Sequence, residues 1–129
     1  MKLEDLKVYA LAMKLGEEIW QIVITWDYFT KDAFGKQWVR SCDSIAANIS
    51  EGYGRYHFKD SRNFGYFSRG SLSETKTWLL KARNRNLITE VQFQTLIAEI
   101  DILSKMLNTY IKSIGTSASF SKAITANES

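Results

Sequence analysis

At 129 residues the chain is long enough for one domain with a single real core and too short for two. It contains no proline, which argues against a sheet protein with many turns and for a few long helices. Its single cysteine, Cys42, excludes an internal disulfide, and the net charge of +3 is too modest by itself to dictate a polyanion partner.

The acidic start, with Glu4 and Asp5, does not read as a signal peptide, and the longest purely apolar run, Val8 to Met13, is too short to span a bilayer. A soluble, cytoplasmic protein is expected. A first helix is predicted from Leu6 to Trp26 with Asp5 as its cap. It carries two apolar stripes. One is Leu6, Tyr9, Met13, Gly16, Trp20 and Val23; the other is Val8, Ala12, Leu15, Ile19, Ile22 and Trp26. Together they are wider than one bundle core needs, so this helix is a candidate for contact with a second subunit.

A second helix is predicted over Asp32 to Gly54, capped by Thr30, with a seam of Trp38, Cys42, Ile45 and Ile49 leading to Gly52. The third runs from Lys59 to Arg85, with a seam reading Phe64, Phe67, Ser71, Glu74 and Trp78. The fourth opens on a capping-box pattern, Thr89-x-x-Gln92. Phe93, Leu96, Ile100, Leu103, Leu107, Tyr110 and Ile114 come after it at 3–4 spacing. Short loops between such helices predict an all-α, antiparallel up-down-up-down four-helix bundle over residues 1–114. Residues 115–129, rich in serine, threonine and alanine, read as a C-terminal tail.

Polar residues border the predicted seams. Gln37, Arg40, Ser44, Asn48 and Glu51 fall on one side of the second helix, and Ser71 and Glu74 occupy seam positions on the third. Unpaired burial is costly, so a mutual network is expected, with Arg40 meeting Glu51 or Glu74 while Gly52 and Gly70 let backbones approach. A site built on paired carboxylates and a subunit interface are the alternatives.

The pattern Q-x-x-R-x-x-x-S-I-x-x-N-I-x-E-G, Gln37 to Gly52, followed by G-S-x-x-E, Gly70 to Glu74, resembles the 23S rRNA intervening-sequence protein family. The opening Asp5-Leu6-x-Val8-Tyr9-x-x-Ala12 is similar as well, and the resemblance covers residues 3–114. Departures are Thr30 after Phe29 and Ala46, each where the family often has proline, and Ser50 where alanine is usual. The resemblance implies an up-down bundle assembling as a homopentamer. Similar proteins include the accessory variability protein of diversity-generating retroelements, which implies RNA or DNA and a nucleic-acid enzyme such as a reverse transcriptase as partners.

No enzyme chemistry is expected. His57 is the one histidine, so neither a diiron bundle nor a zinc site can be assembled, and no metal or cofactor is predicted. Cys42 reads as a small buried hydrophobe. Charge is uneven. Residues 1–30 carry a balance of −2, whereas Arg62, Arg69, Lys76, Lys81, Arg83 and Arg85 against Glu74 give residues 61–89 a balance of +5. Arg55, Lys59, Arg62, Arg69, Lys81, Arg83 and Arg85 are the candidate nucleic-acid contacts, interleaved with Tyr53, Tyr56, Phe58 and Tyr66. A purely protein-interacting or structural assembly, its basic surface incidental, is the competing expectation.

Overall fold

The computed structural model describes residues 2–115, and all of its regular structure is helical. A 3₁₀ turn, Leu3–Asp5, leads into α1 (Lys7–Val23). A short turn, Tyr28–Thr30, and a π-helical segment, Lys31–Gly35, run directly into α2 (Lys36–Tyr53). The two long helices α3 (Phe58–Asn84) and α4 (Glu90–Ser113) complete a four-helix bundle. The tail expected beyond residue 115 lies outside the described residues.

Local chemistry sets the helix ends, and twice it moves them from the predicted place. Asp5 closes the 3₁₀ turn by accepting the Lys2 N–H at 3.1 Å, so α1 begins after Leu6. Asp27, not Thr30, starts the second helical run, its Oδ1 accepting the Thr30 N–H at 2.8 Å. The Thr89 box forms in full. Gln92 N–H donates to Thr89 Oγ1 at 3.0 Å, and Thr89 N–H donates to Gln92 Oε1 at 2.8 Å. At the end of α3, Asn86 takes a left-handed φ of 59°. Leu87 N–H reaches Ala82 O and Asn86 N–H reaches Arg83 O, the paired bonds of a Schellman stop.

Contacts between chain neighbours run in opposite chain order. Ser61 meets Gly52, Ser68 meets Ile45 and Thr75 meets Ser41 across α2 and α3. Arg62 meets Ile114 and Arg83 meets Glu90 across α3 and α4. Gly16 lies against Asp43 and Gly35 against Val23 between α1 and the second helical run. Lys14 of α1 reaches Glu99 of α4 and closes the ring of helices.

Of the two stripes on α1, Val8, Ala12, Leu15 and Ile19 are buried with Gly16 and Val23, while Met13 and Trp20 turn outward, 45% and 48% exposed. The predicted seam of α2 is buried as expected. That of α3 is not. Its buried face is Ser61, Gly65, Ser68, Leu72, Thr75, Leu79 and Ala82, one residue round from the aromatic stripe, and Phe67 is left 58% exposed.

The reason is close packing by small hydroxyl residues. Ser61 donates to Gly52 O and Ser68 to Ile45 O, both at 2.8 Å, and Thr75 Oγ1 lies 3.2 Å from Ser41 Oγ. Each hydroxyl is satisfied by the facing helix or its own, so burial carries no orphan cost. At Gly52 a Cβ would stand 2.7 Å from Phe64 Cβ and 3.2 Å from Ser61 O, which only glycine avoids. Gly70, expected to serve the same purpose, has nothing within 4 Å of its Cβ direction.

Trp26, Phe34, Trp38 and Trp78 close one end of the bundle through ring contacts of 5.5–6.2 Å, with Arg85 over the Phe34 face at 5.3 Å.

Candidate nucleic-acid interface

The expected buried polar network does not form. Arg40, Glu51 and Glu74 are exposed, and Gln37, Ser44, Asn48 and Ser71 are half-buried. The side chains of Ser44, Asn48, Glu51 and Glu74 bond locally, four residues along the chain. Ser44 donates to Arg40 O, Asn48 to Ser44 O, Arg55 pairs with Glu51, and Trp78 Nε1 donates to Glu74 at 3.0 Å. The physical cause is the rotation of α3, whose serine and threonine stripe takes the interior. By the register that the hydroxyl bonds define, Asn48 stands across from Phe67 and Ser44 from Ser71 on the outer edge of the α2–α3 pair.

The basic candidates separate into groups. Arg55 is held by Glu51 and lies over Phe64 at 4.7 Å, and Lys59 is exposed at the second residue of α3. Arg62, Arg69 and Arg83 point toward α4. Arg62 Nη1 donates to Ile114 O at 3.2 Å, and Arg69 Nη1 to Asn108 Oδ1 at 3.4 Å. Arg83 makes a two-pronged pair with Glu90, at 3.2 and 2.8 Å, while stacking 4.1 Å over Phe93. Lys81 and Arg85 lie in the other direction round the end of α3, Arg85 over Phe34.

Lys76 belongs with the α4-facing group, although it is not among the residues expected to touch nucleic acid. Together with Arg69 it lines a groove of about 160 Å³ between α3 and α4, beside Asp101 and Ser104. Arg62, Arg69, Lys76 and Arg83 recur every seventh residue, so they form one row with steps of about 10.5 Å. That repeat of seven was visible in the sequence and is the signal that finds Lys76. Arg69 also covers the Tyr66 ring at 5.0 Å, so this tyrosine is stacked on a guanidinium and not offered as a bare platform for a base.

Elsewhere the titratable groups have structural roles. Cys42 is buried, and desolvation first, then the charges of Asp43 and Glu18, push its thiol far above the ordinary range, which removes any nucleophilic thiolate. Tyr110 is pushed up to about 12, chiefly by burial. Lys14 Nζ bridges Glu18 and Glu99 between α1 and α4, and burial followed by Glu99 raises the Glu18 carboxyl. His57 stands at the cap of α3, exposed, edge-on to Tyr56 at 4.9 Å. No group of three histidine, cysteine, aspartate or glutamate side chains placed to hold a metal ion occurs among the described residues. No helix among them is long and apolar enough to cross a membrane.

Fold and surface together define an all-helical bundle protein with a row of cations on the α4-facing side of α3, two of which, Arg69 and Lys76, line a groove with Asp101. The chain belongs to the 23S rRNA-intervening sequence protein family, whose model matches residues 4–109. Among solved structures it is similar to a protein of unknown function from the S23 ribosomal protein family of Bacteroides thetaiotaomicron. The TM-score is 0.73 at 24% identity, over 81% of this chain and 98% of that one. At that identity the likeness shows the fold alone. No curated protein sequence matches the chain.

Proposed function

We propose that the protein is a non-enzymatic, cytoplasmic scaffold that associates with RNA or DNA along the α3–α4 groove, as a homo-oligomer. The observation that carries this reading is the row Arg62, Arg69, Lys76 and Arg83. Its even spacing along one helix suits a run of phosphates contacted through their charge, without reading bases. Family membership supports the association with RNA, since the family takes its description from an rRNA intervening sequence. Five copies in a ring, as the sequence resemblance implies, would multiply a weak row into useful avidity. A nucleic-acid enzyme such as a reverse transcriptase fits as the protein partner of such a scaffold.

The test is a titration of structured RNA and duplex DNA at several salt concentrations, with the mass followed by light scattering. Arg83 is already paired with Glu90, so Arg62, Arg69 and Lys76 supply three phosphate contacts per chain and a slope of log K against log salt of about −3, and Lys76→Gln or Arg69→Gln lowers its magnitude by about 1. Absence of binding at low salt by the folded protein overturns the reading.

The competing reading, a protein-interaction assembly, is favoured by the outer α2–α3 edge. There Asn48, Ser71 and Glu74 flank the exposed Phe67, a mixture that suits a contact between copies. An intact oligomer that ignores nucleic acid but falls apart with Phe67→Ser would establish this one instead.

A further inference from the structure

Away from the cation row, α1 and the second helical run leave a groove of about 410 Å³ between them. Its floor is apolar: Trp20, Val23 and Ile24 from the end of α1, and Val39 from α2. Trp20 and Ile24 are 48% and 42% exposed, so the floor is open to an occupant. Its rim is cationic, formed by Lys31 of the π-helical segment and by Lys36 and Arg40 one turn apart on α2. The segment lies close over α1 because Gly35 faces Val23; a Cβ there would stand 2.6 Å from Val23 Cγ1. Lys36 is neutralised by Asp32 at 2.8 Å, whereas Lys31 and Arg40 form no ion pair among the described residues, and no carboxylate lines the groove.

This combination selects its occupant. A phosphate backbone would satisfy the rim and leave the tryptophan and isoleucine floor in water. A second copy of the same groove, docked face to face, would bring like charges together, and a ring neighbour presenting a different face is the outcome that light scattering separates. An anion that carries its own apolar body satisfies both parts, and the volume lies in the range of small-molecule sites.

We propose that this groove binds a small organic anion, its apolar body on Trp20, Ile24 and Val39 and its carboxylate or sulfonate between Arg40 and Lys31. The site is separate from the nucleic-acid reading and stands or falls without it. Both cations are exposed, so removing their charge leaves the bundle folded, which circular dichroism checks.

The experiment uses the full chain with 8-anilinonaphthalene-1-sulfonate, an aromatic sulfonate that fluoresces when its ring system leaves water. The uncharged N-phenyl-1-naphthylamine serves as comparator and decanoate as competitor. Binding of one probe per chain is expected, displaced by decanoate and weakened about tenfold in Lys31→Gln/Arg40→Gln, with the uncharged analogue weaker by a similar factor. Equal binding of the two probes, or an unchanged affinity in the double variant, overturns the proposal, because the groove would then be an unspecific apolar patch. Absence of binding also overturns it. If light scattering then shows an oligomer that Trp20→Ala dissociates, a second copy is the occupant. Displacement by an acidic amphipathic helical peptide but not by decanoate overturns it in favour of a protein partner.

Discussion

Gly52 shows how much one missing carbon can decide. The α2 and α3 backbones meet at this residue, with Phe64 and the Ser61 carbonyl occupying the space a side chain would need. Gly52→Ala should destabilise the protein by about 2 kcal/mol through overpacking, read from urea unfolding midpoints. Gly70 supplies the control within the same helical pair. Its Cβ direction is open, so Gly70→Ala should raise stability by about 0.5–1 kcal/mol through helix propensity alone. A similar loss at both positions would mean that the space around the Cβ does not decide the outcome in the α2–α3 pair, and the packing argument at Gly52 would fail. The two glycines look alike in the sequence, each beside a serine or glutamate in a helical run. Only the register of the facing helix tells them apart.

At the scale of the helix, legibility depended on which forces set each element's orientation. The fourth helix was readable to its first residue because its cap is a local, side-chain-to-backbone device and its core stripe, from Phe93 to Tyr110, is hydrophobic at every position. Thr89→Ala, which removes the oxygen receiving the Gln92 N–H, should cost about 1 kcal/mol, seen as a lowered thermal midpoint and faster exchange of the first-turn amides. The third helix was misread because hydropathy ranks phenylalanine and tryptophan above serine and threonine. What orients it is the short distance between backbones that Ser61, Ser68 and Thr75 permit, a tertiary property with no hydropathic signature. The predicted polar network failed with it, since Arg40, Glu51 and Glu74 were assigned an interior that hydroxyl groups occupy. The number of basic residues was plain from composition. Their division between two sides of α3 needed the position of α4.

For the molecule as a whole, the seam between α1 and α4 introduces a dependence on pH. Glu18 Oε1 and Glu99 Oε2 are shut off from solvent, with one ammonium, Lys14, between two carboxyls. Burial and the neighbouring Glu99 raise the Glu18 carboxyl above its ordinary value of 4.5. The folded state therefore holds a proton that the unfolded chain has already released. The stability this contributes is full below about 4.5 and is lost as pH rises through the raised value. Asp43, raised by burial and then by Glu17, acts in the same direction from 3.8 upward. Glu18→Gln should flatten the stability profile across that window and leave the protein more stable than its parent at neutral pH, as urea titrations at pH 4 and pH 7 would report. A steeper profile in the variant would show that the Lys14 bridge outweighs the crowding of the two carboxyls.

The π-helical segment has a consequence for the gene. Lys36 N–H bonds to Lys31 O, five residues back, so this turn contains one residue more than an α-helical turn needs. Ala33 lies inside it with its side chain in solvent. Loss of that one codon would let the turn close as ordinary α-helix, and Trp38, Cys42, Ile45 and Ile49 would keep their bearing on the core. The same deletion inside α2 would rotate everything beyond it by about 100°. Along this helical run, the entrance is therefore where the loss of one residue leaves the rest of the bundle in register.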